Sequence, residues 1–308
     1  MRTLRFHEYG APLDVLRIDD TAPPEPGPGQ IRIAVQACGL NPADWALCGG
    51  LFAGDLPRGV GLEVSGTVDA LGAGVTGTEI GDAVFGPAPF LGSSAGAAEQ
   101  ALLDVWFPRP ATLDALDAAA LPMVVETGYR GVDVLGVRAG HTVLVHGAGT
   151  MVGFAAVQIA LGRGARVLAA AGETQADALR AAGAEVTGRG DGLVERVRAL
   201  AGGPVDLVLD TAPPSGMLPD LVRIAGTPEH VATLTDFAAA KELGVLGGSG
   251  PDANARRYTD VLGEYAELAA AGRFAVPIAH TVPLADWRSA VELSQSGHAR
   301  GKVLLVLG

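Results

Sequence analysis

The stretch Thr142–Leu161, TVLVHGAGTMVGFAAVQIAL, decides the fold. Val143, Leu144 and Val145 form a short apolar, β-branched run, which reads as a strand buried on both faces. A tight loop follows, Gly147-Ala148-Gly149-Thr150-Met151-Val152-Gly153. Phe154–Leu161 is apolar nearly all round and free of Gly and Pro, so it reads as a buried helix. Strand, glycine turn and helix in this order make a phosphate-binding unit. Glycines let the backbone turn sharply and come close to a pyrophosphate. The helix start then offers unpaired N–H groups and the positive end of its dipole. A glycine loop alone is weak evidence, because any tight turn favours glycine.

The flanking sequence strengthens it. Arg166–Ala170 reads as a second strand, Thr174–Ala182 as a helix with Gly183 at its C-terminus, and Glu185–Thr187 as a third strand. Asp191 is placed to cap a helix running to Ala201, which Gly202-Gly203 ends. Val205–Leu209 and His230–Leu234 read as a fourth and a fifth strand. Strands alternating with helices at this spacing predict a parallel, doubly wound α/β sheet carrying a dinucleotide site.

The 308 residues suffice for two domains, and 48% are hydrophobic. A net charge of −12 argues against nucleic acid as a partner, which needs a basic face. Cys38 and Cys48 fit neither a metal spacing nor a disulfide framework, so a reducing, cytoplasmic setting is expected. The start, MRTLRFHEYG, lacks the apolar core of a signal peptide, and no run approaches the roughly 18 apolar residues of a membrane helix. His7, His141, His146, His230, His280 and His298 form no close pair with another His or Cys, and each reads as a surface or packing residue.

Residues 1–120 have a different texture. Leu4–Phe6, Ile31–Val35, Gly66–Val68 and Ala83–Phe85 are short strand runs, set apart by the rigid Pro23–Gly29 loop and by Gly72, Gly74, Gly77 and Gly81. This predicts a small antiparallel β domain. Several segments here resemble signatures of the medium-chain dehydrogenase/reductase superfamily. They are Val35–Asp44 (VQACGLNPAD), Gly61–Val68 (GLEVSGTV), Gly81–Gly86 (GDAVFG), Ala118–Pro122 with Thr127, and the closing Gly297–Leu305 (GHARGKVLL). The similarity covers essentially the whole chain in the right order. It points to the zinc-free quinone oxidoreductase branch, similar to zeta-crystallin.

The resemblance implies a Rossmann domain over 124–250 and a GroES-like β domain over 1–123 with a C-terminal return, 251–308. Within that return, Tyr258–Ala271 reads as a helix, Val276–Thr281 as a strand, Asp286–Gln295 as a helix and Val303–Leu307 as the last strand. It also implies an active site in the cleft between the domains and a homodimer through the last Rossmann strand, near Leu243–Leu246. The zinc-dependent branch has Cys where this chain has Asn41 and His where it has Leu62. Only Glu63 of that set survives, so no metal is expected.

Asn41 and Thr127 are the implied catalytic pair, short hydrogen-bonding groups able to orient a carboxamide or a carbonyl. The residue types allow a plainer reading: Asn41 as a turn residue before Pro42, and Thr127 as a helix N-cap. Glu126 could protonate a product but also reads as a solvated or paired carboxylate. Gly149, Thr150, Met151, Val152, Gly153, Gly172, Arg189, Thr235, Gly247 and Lys302 are the implied cofactor contacts. Thr150-Met151 replaces the usual glycine pair. The expected cofactor is NADPH, with NADH possible. Ala171-Gly172 leaves room for a 2′-phosphate and Arg189 falls near it, whereas Glu173 opposes it. The expected activity is hydride transfer to a small-molecule quinone or enone. The alternative is a cofactor-binding protein with a regulatory or structural role.

Overall fold

The structure, a computed structural model, describes residues 1–248 and 255–307. The strands along the chain are β1 (Arg2–Phe6), β2 (Leu16–Asp20), β3 (Ile31–Leu40), β4 (Arg58–Gly59), β5 (Glu63–Leu71), β6 (Ala83–Pro87), β7 (Gln100–Leu103) and β8 (Phe107–Pro108). Next come β9 (Thr142–His146), β10 (Arg166–Ala171), β11 (Glu185–Gly188), β12 (Leu207–Asp210), β13 (Val231–Thr233) and β14 (Leu246–Gly247), and last β15 (Ile278–Pro283) and β16 (Lys302–Val306). They fall into two compact units. One comprises Met1–Met123 with Leu262–Gly308, the other Val124–Val261.

The second unit holds a six-stranded sheet in the order β11-β10-β9-β12-β13-β14, with every pairing parallel. This is a doubly wound Rossmann sheet, and the strand order reverses at β9, where such folds bind their ligands. The strands read as apolar runs because both faces are covered: Val143–His146, Val167–Ala171 and Leu207–Asp210 are buried throughout. Helices Met151–Gly162, Glu173–Ala181, Leu193–Ala201, Leu218–Ala225 and Phe237–Leu243 make the crossovers.

Three local expectations change here. The glycine turn is shorter than 147–153, because the helix already begins at Met151, with Thr150 as its cap. Asp191 does not cap the third crossover helix. Gly192, in a left-handed conformation (φ 73°), precedes Leu193 without a side-chain bond. The run 258–271 is two helices, Ala255–Asp260 and Leu262–Ala270. The expected boundary at 250/251 lies outside the described residues. The helix Ala255–Asp260 belongs to the Rossmann unit, where Tyr258 packs on Tyr129, and the return begins at Leu262.

The first unit is the GroES-like β domain. A seven-stranded sheet runs β15-β16-β3-β5-β6-β8, with β7 also on β3. A second sheet is β2-β1-β4. In β3 the alternation of burial over Ile31–Gln36 gives way to continuous burial from Ala37 to Leu40, where β5 and β16 flank it. The antiparallel register sets Gly39 opposite Glu63 on one side and Leu40 opposite Val303 on the other. Asn41, Glu63 and Lys302, far apart in sequence, are thereby brought to one end of the sheet.

Candidate active site

Asn41 directly follows β3 and caps the helix Pro42–Cys48. The Asp44 carboxylate accepts from the Asn41 backbone N–H at 2.8 Å and from the Gly61 N–H at 2.6 Å. With its backbone held by Asp44, Asn41 has its side chain free for other partners. Its Nδ2 donates to Glu63 Oε1 at 2.9 Å, and its Oδ1 accepts from Lys302 Nζ at 2.6 Å. The Lys302 ammonium also contacts Glu63 Oε1, and Glu63 Oε2 accepts from the Met123 N–H at 2.7 Å. Asn41 is thus both the turn residue its type allows and one corner of a buried polar knot. Glu63 is 0%, Lys302 3% and Asn41 7% exposed. Burial drives the Asp44 carboxyl up to about 7 against the pull of its two backbone donors. Burial also pushes the Cys38 thiol well up, with Asp44 and Glu63 adding to it.

Lys302, expected as a cofactor contact, is buried here with its ammonium bonded to Asn41 and paired with Glu63. A zinc ion does not suit these residues. Leu62 is fully buried in the apolar core, an amide replaces the thiolate, and Glu63 is already paired with a cation. Among the described residues, no three or more His, Cys, Asp or Glu side chains converge to hold a metal.

In the Rossmann unit the turn is closed by tight packing. Gly147 has φ 77°, and a Cβ there would lie 2.4 Å from Ala212 N. A Cβ on Gly153 would lie 2.3 Å from Gly147 O. Gly149 is open, with nothing nearer than Ala171 Cβ at 3.7 Å and Gly172 N at 3.9 Å. Thr150 Oγ1 accepts from Gly153 N–H at 3.0 Å. This cap leaves the first helical N–H groups, of Met151 and Val152, without an intrahelical partner. Gly172 is likewise open on the side where Arg189 Nε lies 3.7 Å from its Cβ position. Gly149, Gly172 and Arg189 thus lie together beside the helix start, whose free N–H groups suit an anionic group.

Thr127 lies inside the helix Pro122–Val134, not at its start. Its hydroxyl donates to Glu126 Oε2 at 3.0 Å, and the Cβ position of its neighbour Gly128 is 3.3 Å from Val152 O. At Gly128 this helix therefore runs against the glycine helix. Glu126 pairs with Arg130 at 2.8 Å, the structural role its type allows. Thr235 donates to Ala212 O at 2.5 Å. Gly247 pairs with Thr233 in register at the end of β14.

Three features escaped the sequence. His146 Nδ1 lies 2.7 Å from Asp210 Oδ1, and Asp210 Oδ2 accepts from Thr233 at 2.9 Å, a buried network at the strand ends. The clue was available: His146 directly precedes Gly147, and Asp210 ends the neighbouring strand. Thr211 braces the turn by donating to Gly147 O at 3.0 Å. In the first unit, buried Arg58 donates to Phe52 O at 2.6 Å and Phe90 O at 2.9 Å, tying two loops whose Phe52 and Leu91 are exposed.

A GroES-like β unit with a split chain and a Rossmann unit bearing a phosphate cradle define a dinucleotide-binding, dehydrogenase-type protein. The chain belongs to the medium-chain dehydrogenase/reductase superfamily. Residues 27–103 match the alcohol dehydrogenase GroES-like domain, and residues 182–305 match the zinc-binding dehydrogenase family. The chain is 38% identical over 181 residues to a quinone oxidoreductase of Rattus norvegicus, covering 57% of this chain and 54% of that one. It is 32% identical over 305 residues to a phthioceranic/hydroxyphthioceranic acid synthase of Mycobacterium bovis, covering 91% of this chain and 14% of the synthase. The crystal structure of an NAD-dependent alcohol dehydrogenase superposes with a TM-score of 0.86 at 28% identity, with both chains covered in full. The chain spans about half or less of the length of these curated relatives.

Proposed function

We propose that this chain is a zinc-independent, NADPH-dependent reductase of the quinone oxidoreductase branch. It would pass hydride to quinones or to carbon–carbon double bonds conjugated to a carbonyl. The observation that carries the reading is the pairing of Lys302 with Glu63 and Asn41. An internal ammonium holds the one carboxylate left from the metal-binding set, so the remaining polar groups are hydrogen-bond donors. Such donors suffice for substrates that accept hydride readily, where negative charge spreads onto oxygen. The quinone oxidoreductase relative supports the substrate class.

The bound cofactor supplies the hydride. The Met151 and Val152 N–H groups would hold its pyrophosphate at the helix start. Arg189, beside the open Gly172, would face a 2′-phosphate. Asn41 would present an amide N–H to the substrate oxygen, and Thr127 a hydroxyl to the cofactor or substrate. Thr235 and Gly247 would border the nicotinamide ribose. The final proton would come from water. The edge of β14 is the proposed seam of a homodimer, and the cytoplasm its proposed location. Among the described residues no helix is long and apolar enough to cross a membrane.

The test is steady-state turnover of 9,10-phenanthrenequinone, an enone and a simple secondary alcohol with both coenzymes, alongside coenzyme titration. The expected result is NADPH-driven reduction of the quinone or enone, with Arg189→Ala weakening NADPH and sparing NADH. Efficient alcohol oxidation with no quinone or enone turnover would overturn it, and tighter NADH binding would overturn the coenzyme preference.

A further inference from the structure

We infer that Lys302 and Glu63 are positioning residues for Asn41: a buried ammonium–carboxylate pair that locks its carboxamide and leaves one polarised N–H for the substrate oxygen. This rests on the reductase reading above. An asparagine amide can be turned over at little cost when its neighbours both donate and accept. Here they do not. Lys302 is a donor only and an ionised Glu63 an acceptor only. The ammonium meets Oδ1 and the carboxylate meets Nδ2. Turning the amide over would set NH2 against the ammonium and C=O against the carboxylate, losing both bonds and gaining two repulsions. One orientation is therefore imposed.

In that orientation one N–H of Nδ2 is spent on Glu63 and the other remains. The charged donor on Oδ1 draws electron density through the amide, and charge-assisted bonds in a dry interior strengthen one another along the chain. The positive charge of Lys302 thus acts on the substrate through Asn41, without touching it. The surroundings are built to keep the pair in place. Gly39 leaves the space that Glu63 fills, since a Cβ there would lie 2.3 Å from Glu63 Oε1. Buried ion pairs contribute little net stability, so the role assigned to this one is orientation rather than stability.

The experiment compares Asn41→Ala, Lys302→Met, the combined Asn41→Ala/Lys302→Met protein and the charge-free pair Glu63→Gln/Lys302→Met. The last variant leaves no unpaired charge and guards against simple unfolding. Asn41→Ala should lower kcat about 100-fold, as loss of one oxyanion donor does. Lys302→Met and the charge-free pair should lose a similar factor, and the combined variant no more than Asn41→Ala alone. The NADPH dissociation constant should not move. The side-chain 15N–1H signals of Asn41 should shift and broaden in Lys302→Met. Wild-type kcat in Lys302→Met and in the charge-free pair, or losses that multiply with that of Asn41→Ala, would overturn the inference. So would weakened NADPH binding with kcat kept, which would make Lys302 a coenzyme contact. If the wild type turns over neither quinone nor enone, the reductase reading falls. The Asn41 signals then decide the locking separately: if Lys302→Met leaves them unchanged, it is refuted.

Discussion

The two polar centres of this chain are built in opposite ways. In the Rossmann unit the cradle is backbone: the short turn from Gly147 and the helix start at Met151 and Val152, shaped by what cannot be there, a Cβ on Gly147 or Gly153. In the GroES-like unit the knot is side chain. Asn41, Glu63 and Lys302 come from three strands or strand ends, and Lys302 is 261 residues from the asparagine it bonds. A backbone site tolerates changes of side chain and fails when a carbon is added. A side-chain site depends on charge, and therefore on pH. The two should break under different insults.

The largest expected effect is electrostatic and belongs to the side-chain site. Asp44 is fully buried, and its carboxyl is pushed up from 3.8 to about 7, by burial first. An acid whose folded pKa is raised keeps a proton that the unfolded chain releases. Stability from this group is therefore full below about pH 4, falls as pH rises to about 7, and is level beyond. Asp44→Asn cannot ionise, but it turns an NH2 toward one of the two backbone donors, a fixed penalty at every pH. The stability gap between wild type and Asp44→Asn should accordingly shrink by on the order of 4 kcal/mol between pH 4 and 8. Urea unfolding at several pH values measures it, and a constant gap would show that Asp44 titrates normally.

Next in size is the backbone site. Gly147→Ala must place a side chain at φ 77° and a Cβ 2.4 Å from Ala212 N. Left-handed strain and overpacking together should cost about 2–5 kcal/mol. Gly149→Ala, with 3.7 Å of clearance, should lie close to wild type in thermal unfolding. Neither difference should depend on pH. Equal losses at the two glycines would mean that the turn is set by something other than close approach.

This contrast also decides what could be read in the sequence. The cradle was legible because its parts are neighbours, Val143–Val145, the glycines and an apolar helix in a row, and the alternation of strands and helices carried the sheet with it. Helix starts were less legible. Met151–Gly153 look like loop in a glycine-rich run until Thr150 is seen to cap them. The knot was legible only in part. Asn41, Glu63 and Lys302 were each singled out by the resemblance, but their pairing was not, since nothing local says that Leu40 lies opposite Val303. The resemblance alone placed Lys302 at the cofactor, and nothing in it shows that β16 buries this lysine against Asn41 and Glu63. The N-x-x-D spacing of Asn41 and Asp44 did carry a readable capping signal. His146 and Asp210 were each passed over because a single polar residue at a strand end says little until the parallel register of β9 and β12 pairs them.

The smallest effect tests whether any side chain matters in the backbone site. Thr150 caps the glycine helix, and its Oγ1 accepts from Gly153 N–H at 3.0 Å and lies 3.3 Å from Thr211 Oγ1. Loss of a threonine cap to alanine costs about 1 kcal/mol, whereas glycine at the same position costs only a few tenths, because bare backbone lets water solvate the freed N–H. Thr150 has φ −72°, so glycine is not needed there for conformation. Thr150→Gly should therefore be more stable than Thr150→Ala, against the usual order inside a helix, and Thr150→Ser should match wild type. Denaturant midpoints of the three variants give the ranking. If alanine proves as good as serine, the cap contributes nothing and the turn is held by Gly147, Gly153 and Thr211 alone.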